Sequence, residues 1–167
     1  MPWDIDFVLG ASSDSAFTYL GNTTEPSTQR MFFHPRFRRV YYSALRAAAE
    51  GPLRPERFGP VMEAKTRALR ANGLPRMGFP TSGSNYITGR VQQIQNELSE
   101  FDVGFGVEPV PGTTAENSLL LRGTAPLAVA MIYAGDRTYP VRWLSPTVWE
   151  MRVLLNEGLN QFYVYGT

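Results

Sequence analysis

Apolar residues spaced three and four positions apart predict three helices in the first hundred residues. The clearest stripe lies in a helix that we predict from about Tyr86 to Phe101, and its members are Ile87, Val91, Ile94 and Leu98. An earlier helix is predicted over residues 35–50, because Pro35 is a favoured first-turn residue and Gly51-Pro52 ends the pattern. A further helix begins at Pro55 and stops at Asn72-Gly73.

Beyond Phe101 the pattern changes to short runs of β-branched and aromatic residues separated by turn residues. Residues 103–117 are rich in glycine and proline, which is typical of a linker. Gly135-Asp136 predicts a hairpin turn. Five strands are predicted, at Ser118–Arg122, Ala128–Tyr133, Thr138–Trp143, Trp149–Leu155 and Gln161–Tyr165. Strands at this spacing favour a small β-sandwich.

The two patterns together predict an α+β protein, with a helical part over residues 1–102 and a β-sandwich over residues 103–167. Residues 11–30 carry many serines, threonines and glycines without a sustained period, so we expect a long surface loop there. A second connection is expected over residues 74–85. We expect the aromatic residues of the sandwich to fill its core, the alternative being a surface platform that stacks sugar rings.

Composition and charge remove several classes of function. The chain has 167 residues, of which 43% are hydrophobic, enough for a core. The absence of cysteine excludes disulfides, zinc-thiolate sites and thiol nucleophiles. A net charge of +1 does not favour a nucleic-acid partner, and we expect Arg36, Arg38 and Arg39 to lie on the solvent face of a helix. No apolar run is long enough to span a membrane, and no signal peptide is visible.

The candidate chemistry lies at the start of the chain, in the segment PWDIDFVLG over residues 2–10. The alternation predicts a strand, so Asp4 and Asp6 point to the same side and bring their oxygens to one cation. Mg²⁺, Mn²⁺ or Ca²⁺ suits oxygen ligands best. No serine hydrolase motif, phosphate-binding glycine loop or zinc-binding histidine spacing accompanies the pair, and His34 is the only histidine.

This first segment resembles the WDxD segment of the CotH-type family, an atypical, secreted protein-kinase-like family associated with spore coats. In that family the segment stands where ordinary kinases carry their metal-binding Asp-Phe-Gly. Further stretches resemble the helices that follow it and an immunoglobulin-like β-module that often comes after them: Phe33–Tyr42, Gly51–Phe58, Leu121–Pro126, Trp149–Leu155 and Glu157–Asn160.

The resemblance implies that Asp6, assisted by Asp4, binds the Mg²⁺ or Mn²⁺ that bridges the phosphates of ATP. It implies phosphoryl transfer to serine or threonine of a protein substrate, in an extracellular or cell-surface protein. A kinase also needs a phosphate-covering loop, a lysine and a catalytic aspartate ahead of this segment. We therefore expect the chain to be the C-terminal portion of a longer kinase-like domain and to be inactive alone.

Two other readings stay open. The chain is alternatively an extracellular structural module, or one that binds carbohydrate or the cell surface, whose Asp4 and Asp6 hold structural Ca²⁺ or no ion. Stabilisation by Ca²⁺ without nucleotide favours that reading. A glycosyltransferase also uses Asp-x-Asp to hold the Mn²⁺ of a nucleotide sugar, but no alternating strand and helix pattern surrounds the motif here.

Overall fold

The computed structural model describes residues 25–74 and 81–167. It contains four α-helices, at α1 Pro26–Phe33, α2 Pro35–Glu50, α3 Pro55–Ala71 and α4 Thr81–Leu98, and a 3-10 turn at Ser99–Phe101. Seven strands follow, at β1 Gly106–Val107, β2 Ser118–Thr124, β3 Ile132–Ala134, β4 Arg137–Thr138, β5 Val141–Trp143, β6 Val148–Leu154 and β7 Val164–Gly166. The predicted α+β class is confirmed.

The chain divides into two compact units. In the described part, the first unit holds residues 25–29, 44–74 and 81–98. The second unit holds Arg30–Ser43 and Ser99–Thr167, so it combines the first half of α2 with all seven strands. A helical segment that lies far from the strands in sequence therefore belongs to the same compact unit as the sheets.

The helix boundaries follow the local sequence closely. Helices α2 and α3 begin at Pro35 and Pro55, where the missing N–H costs no intrahelical hydrogen bond. Helix α3 ends before Gly73, whose φ of 81° is a left-handed conformation that favours glycine. The predicted stripe of α4 is confirmed, because all four of its members are buried: Ile87, Val91, Ile94 and Leu98.

Two helical segments lie where the sequence pattern predicted connections. Helix α1 occupies Pro26–Phe33, so the expected surface loop does not extend to residue 30. Its only buried residue, Phe32, packs edge-on against Tyr41 at a ring distance of 5.8 Å. Helix α4 begins at Thr81 rather than near Tyr86. Eight residues are too few to show a helical period in the sequence. The contact between the rings of Phe32 and Tyr41 supports the short helix α1.

The strands form two antiparallel sheets, with the orders β1-β2-β6-β5 and β4-β3-β7. Strand β2 pairs with β6 along its whole length, from Ser118 opposite Leu154 to Thr124 opposite Val148. The predicted hairpin at Gly135 is confirmed, since Ala134 pairs with Arg137 and Gly135 has φ of 62°. The single strand predicted over Thr138–Trp143 is two strands, in different sheets.

The core of the second unit lies between the two sheets. Its buried members come from β2, β3 and β6 and from the turn after β2: Leu121, Ala125, Ile132, Ala134, Trp149, Met151 and Val153. Side chains that alternate along β6 thus point to one side, as the pattern predicted. Burial of these apolar groups is the main favourable term for the unit.

Gly123, near the end of β2, lies where β1 and the Trp149 side chain come close to the backbone of β2. A Cβ atom there would lie 2.0 Å from the carbonyl oxygen of Gly106 and 2.7 Å from the Trp149 ring. The indole N–H of Trp149 donates to the carbonyl of Thr124 at 3.0 Å. Only glycine allows β1 and the indole to approach β2 this closely.

Helix α3 contrasts with the sheets, because none of its residues is buried in the described part of the chain. Val61 is 52% exposed and Leu69 41% exposed, although the helical spacing that predicts α3 runs through both of them, together with Phe58 and Met62. Among the described residues, no helix is both long and apolar enough to cross a bilayer.

Candidate functional site

The predicted metal ligands, Asp4 and Asp6, lie outside the described residues, and so does the strand predicted around them. Within residues 25–74 and 81–167, no three histidine, aspartate or glutamate side chains come together as a metal-binding group. The metal site therefore stays a prediction from sequence.

Arg39 is the most unusual side chain of the second unit, and the prediction that it faces solvent is wrong. It is 4% exposed, whereas Arg36 of the same helix is exposed. Its guanidinium donates to the carbonyl oxygens of Pro146, at 2.5 Å, and of Ala125, at 3.4 Å. It also donates to the carbonyls of Pro126 and Val129.

The same guanidinium lies over the ring of Trp143, with its central carbon 3.7 Å from the ring centroid. A cation so placed is attracted to the negative face of the aromatic ring. Burial lowers the pKa of Arg39 to about 10. The carbonyls and the ring all favour the charged form, so Arg39 is a cation at neutral pH.

Arg39 donates hydrogen bonds to the carbonyls of two turns of the second unit. The carbonyls belong to the turn after β2 and to the turn before β6, which are irregular backbone next to the core. Unpaired carbonyls at such positions cost free energy, and the five donors of arginine reach several of them at once. With its hydrogen-bonding capacity used in this way, Arg39 is a structural residue rather than part of a ligand site.

A second charged group lies on the outer face of the larger sheet. Glu150 on β6 accepts from Arg122 on β2 at 3.2 Å and from Arg142 on β5 at 3.1 Å. The glutamate side chain is 12% exposed, and the two arginine side chains are 51% and 77% exposed. The three residues sit opposite each other in the strand register, so this group is a cross-strand ion pair that supports pairing.

The aromatic residues of the sheets divide between core and surface. Trp149 is fully buried, and Tyr139 and Trp143 pack against the core cluster, as expected. Three tyrosines instead lie on the outer side of the smaller sheet: Tyr133, Tyr163 and Tyr165. Tyr133 and Tyr165 stack at 5.1 Å with an angle of 15°, and Tyr165 contacts Tyr163 at 5.7 Å.

This tyrosine cluster is a stacked column rather than a flat platform. Rings that are nearly parallel at 5.1 Å cover part of each other's faces. Tyr163 is 78% exposed and leaves a ring face open to solvent, whereas Tyr165 is 37% exposed. The expectation that aromatics fill the core is therefore wrong for these residues, because alternation along β3 and β7 places them on the outer face.

A groove of about 800 Å³ opens beside β2 in the second unit. Its apolar floor is formed by side chains that also contact the core, among them Leu119, Leu121, Phe162 and Val164. Its walls are the segments 107–117 and 155–162. The sequence pattern did not predict it, because residues 103–117 were assigned to a linker.

His34 does not take part in a described site. It is exposed between α1 and α2, and its carbonyl accepts a hydrogen bond from the Arg38 N–H at 3.0 Å. That bond is a backbone hydrogen bond of the first turn of α2. Comparison with known proteins adds no assignment: no family model, no curated protein and no solved structure matches this chain.

Proposed function

We propose that the chain is part of a CotH-type kinase-like protein that transfers phosphate from ATP to serine or threonine of a protein, and that it is inactive alone. The observation that carries the proposal is the spacing of Asp4 and Asp6 within the segment PWDIDFVLG. Carboxylates two apart on a strand suit a metal ion that bridges nucleotide phosphates. In this proposal Asp6 is the principal ligand of Mg²⁺ or Mn²⁺, and Asp4 assists.

The order of elements supports this proposal. Helix α2 begins at Pro35 and α3 at Pro55, within the two stretches that resemble the family's helices. The strands follow where the resemblance places the β-module. The sequence contains one lysine, Lys65, and it lies exposed on α3. A phosphate-binding lysine and a catalytic aspartate must then come from the rest of the kinase-like domain, which is why we expect this chain to be inactive.

Thermal unfolding with and without Mn²⁺ tests the metal role. A ligand that binds only the folded state raises its melting temperature, so Mn²⁺ is expected to stabilise the chain and Asp6→Asn to remove that effect. Asp136→Asn, in the exposed hairpin turn after β3, is the matched control and is expected to keep it. An unchanged Mn²⁺ shift in Asp6→Asn contradicts the assignment. Incorporation of radiolabelled phosphate by the isolated chain contradicts the expectation of inactivity.

The genetic context provides an independent test. The encoding DNA upstream of the Met1 codon is expected to continue in frame and to specify the phosphate-binding lysine and the catalytic aspartate. A stop codon followed by a ribosome-binding site in that position would contradict a role in phosphoryl transfer.

A second candidate is an extracellular module that binds carbohydrate at the cell surface. The exposed ring of Tyr163, beside Tyr165, supports it, because sugars stack their C–H faces on open aromatic rings. In that case soluble oligosaccharides should quench tyrosine fluorescence and Tyr163→Ala should abolish the effect. Stabilisation by Ca²⁺ without nucleotide would separate this candidate from the kinase-like one.

A further inference from the structure

The edge of β2 beside the groove is only partly paired. Strand β1 covers Thr124 and Gly123, and the N–H of Glu108 donates to the carbonyl of Arg122 at 2.8 Å. On the other side of β2, the N–H of Leu155 donates to the carbonyl of Asn117. Since hydrogen-bonding directions alternate along a strand, residues 117, 119 and 121 face β6, whereas 118, 120 and 122 face the side of β1.

Ser118 and Leu120 therefore direct their main-chain groups to the side on which β1 lies, where Val107 and Glu108 line the groove. In the part of the chain that the structure describes, β1 ends before it reaches Ser118 and Leu120, and no other strand pairs with them there. Strand β7 is likewise an edge, because its only partner in the described sheet is β3. Unpaired strand edges are templates for an added strand.

The charged side chains that line the groove are all acidic. Its lining contains three acidic side chains, Glu108, Glu116 and Glu157, and no lysine, arginine or histidine. All three glutamates are exposed. The whole chain has a net charge of +1, so the groove concentrates negative charge on a chain that is slightly positive. The three glutamates form the rim of the groove. A ligand with cationic ends and an apolar middle complements both this acidic rim and the apolar floor.

We propose that this groove binds an extended peptide segment of a partner protein, with apolar side chains at its centre and arginine or lysine at its ends. The peptide adds as a strand to the free edge of β2 at Ser118 and Leu120. Its apolar side chains enter the groove over Leu119 and Leu121, and its basic ends meet the carboxylates of the rim. Main-chain hydrogen bonds supply affinity in this mode, and the pockets supply specificity. The proposal is independent of phosphoryl transfer.

Three labelled synthetic peptides test the proposal by fluorescence anisotropy on the whole chain. The first, with blocked ends, is Arg-Val-Thr-Val-Thr-Val-Arg, and the second replaces both arginines by glutamate. The third replaces the central valine by proline, which cannot donate to a strand ladder. We expect the first peptide to bind saturably and each of the other two to bind at least about tenfold more weakly.

Variants of the rim connect this binding to the groove. The double variant Glu116→Gln and Glu157→Gln is expected to weaken binding of the first peptide about fivefold to tenfold. It is also expected to reduce the salt dependence of that binding. Glu100→Gln, an exposed glutamate of the same unit outside the groove, is the matched control and should bind as the unchanged chain does. All of these side chains are exposed, so the variants are expected to fold.

Several results would overturn the proposal. One is equal binding of the arginine and glutamate peptides, and another is no binding of any peptide at millimolar concentration. Tight binding of the proline peptide would exclude strand addition. Self-association in sedimentation that the double variant abolishes would show that a second copy of this chain, and not a partner peptide, occupies the groove.

Discussion

Strand β6 and helix α3 show two outcomes for segments that both carry an apolar pattern. Strand β6 buries Trp149, Met151 and Val153 in the core of the second unit. Helix α3 buries no residue in the described part of the chain, and Val61 on its apolar stripe is 52% exposed. The comparison shows that a periodic pattern tells which face of an element is suited to burial. Whether a partner covers that face is a separate matter.

The largest expected effect is that of Trp149→Ala. The side chain is fully buried and its N–H donates to the carbonyl of Thr124, so its removal leaves a cavity and takes away that hydrogen bond. We expect a loss of about 3–5 kcal/mol in the free energy of unfolding, measured by denaturant titration. Val61→Ala on α3 should cost less than about 0.5 kcal/mol, since half of that side chain is already in water. Equal losses would contradict the contrast between β6 and α3.

Replacement of Arg39 and of Arg36 compares a buried with an exposed arginine of the same helix, α2. Arg39→Met keeps much of the side-chain length but removes the hydrogen bonds that the guanidinium donates to the carbonyls of Pro146, Ala125 and Val129. The expected loss is about 2–4 kcal/mol, because buried groups that lose their partners retain the desolvation cost. Arg36→Met, on the exposed face of the same helix, should stay within about 0.5 kcal/mol of the unchanged chain. A small effect at Arg39 would show that water replaces the guanidinium.

Gly123→Ala tests the close approach of β1 to β2. The added methyl group collides with the carbonyl of Gly106 and with Trp149, so the strands must separate. We expect a loss of about 1–3 kcal/mol, seen as a lower melting temperature. Gly112→Ala, where nothing lies within 4 Å of the added atom, is the control. Equal stability of the two variants would mean that β1 is dispensable.

The smallest expected effect is that of Glu150→Gln. The change removes the charge that pairs with Arg122 and Arg142 but keeps a hydrogen-bond acceptor. Because both arginines are largely exposed, we expect a loss of about 0.5–1 kcal/mol that shrinks in high salt. Glu100→Gln should have no measurable effect. A loss as large as that of Trp149→Ala would mean that the ion pair, rather than the core, stabilises the sheet.

Periodicity and turn residues predicted much of the fold. Helix α2 spans the predicted residues, and the buried positions of α4 are those of the predicted stripe. The hairpin at Gly135 also agrees. These features depend on neighbours in sequence, so local patterns contain the information that sets them. Helix α1 and strand β1 were not predicted. Helix α1 is only eight residues long, and its buried Phe32 packs on Tyr41 of the next helix. Strand β1 is two residues long and pairs with Gly123 and Thr124 of β2.

The candidate sites were less predictable than the fold. Asp4 and Asp6 were identified by their spacing and by the resemblance of their segment, and their proposed metal role rests on sequence. The groove beside β2 is walled by the segments 107–117 and 155–162, and neither segment alone reveals that the two meet. The tyrosine cluster arises because β3 and β7 pair with Tyr133 opposite Tyr165. Adjacent positions across a sheet depend on register, which is set by the whole sandwich.

By itself, the sequence determined the α+β class, the starts of α2 and α3 and the inward side of β6, because proline, glycine and alternating apolar residues act on their immediate neighbours. Only the tertiary structure decided the fate of Arg39. A cation in a cluster of arginines is normally solvated, and nothing near it in sequence indicates otherwise. It is buried here because turns 86 to 107 residues later present their carbonyls, and β5 presents the ring of Trp143, to one guanidinium.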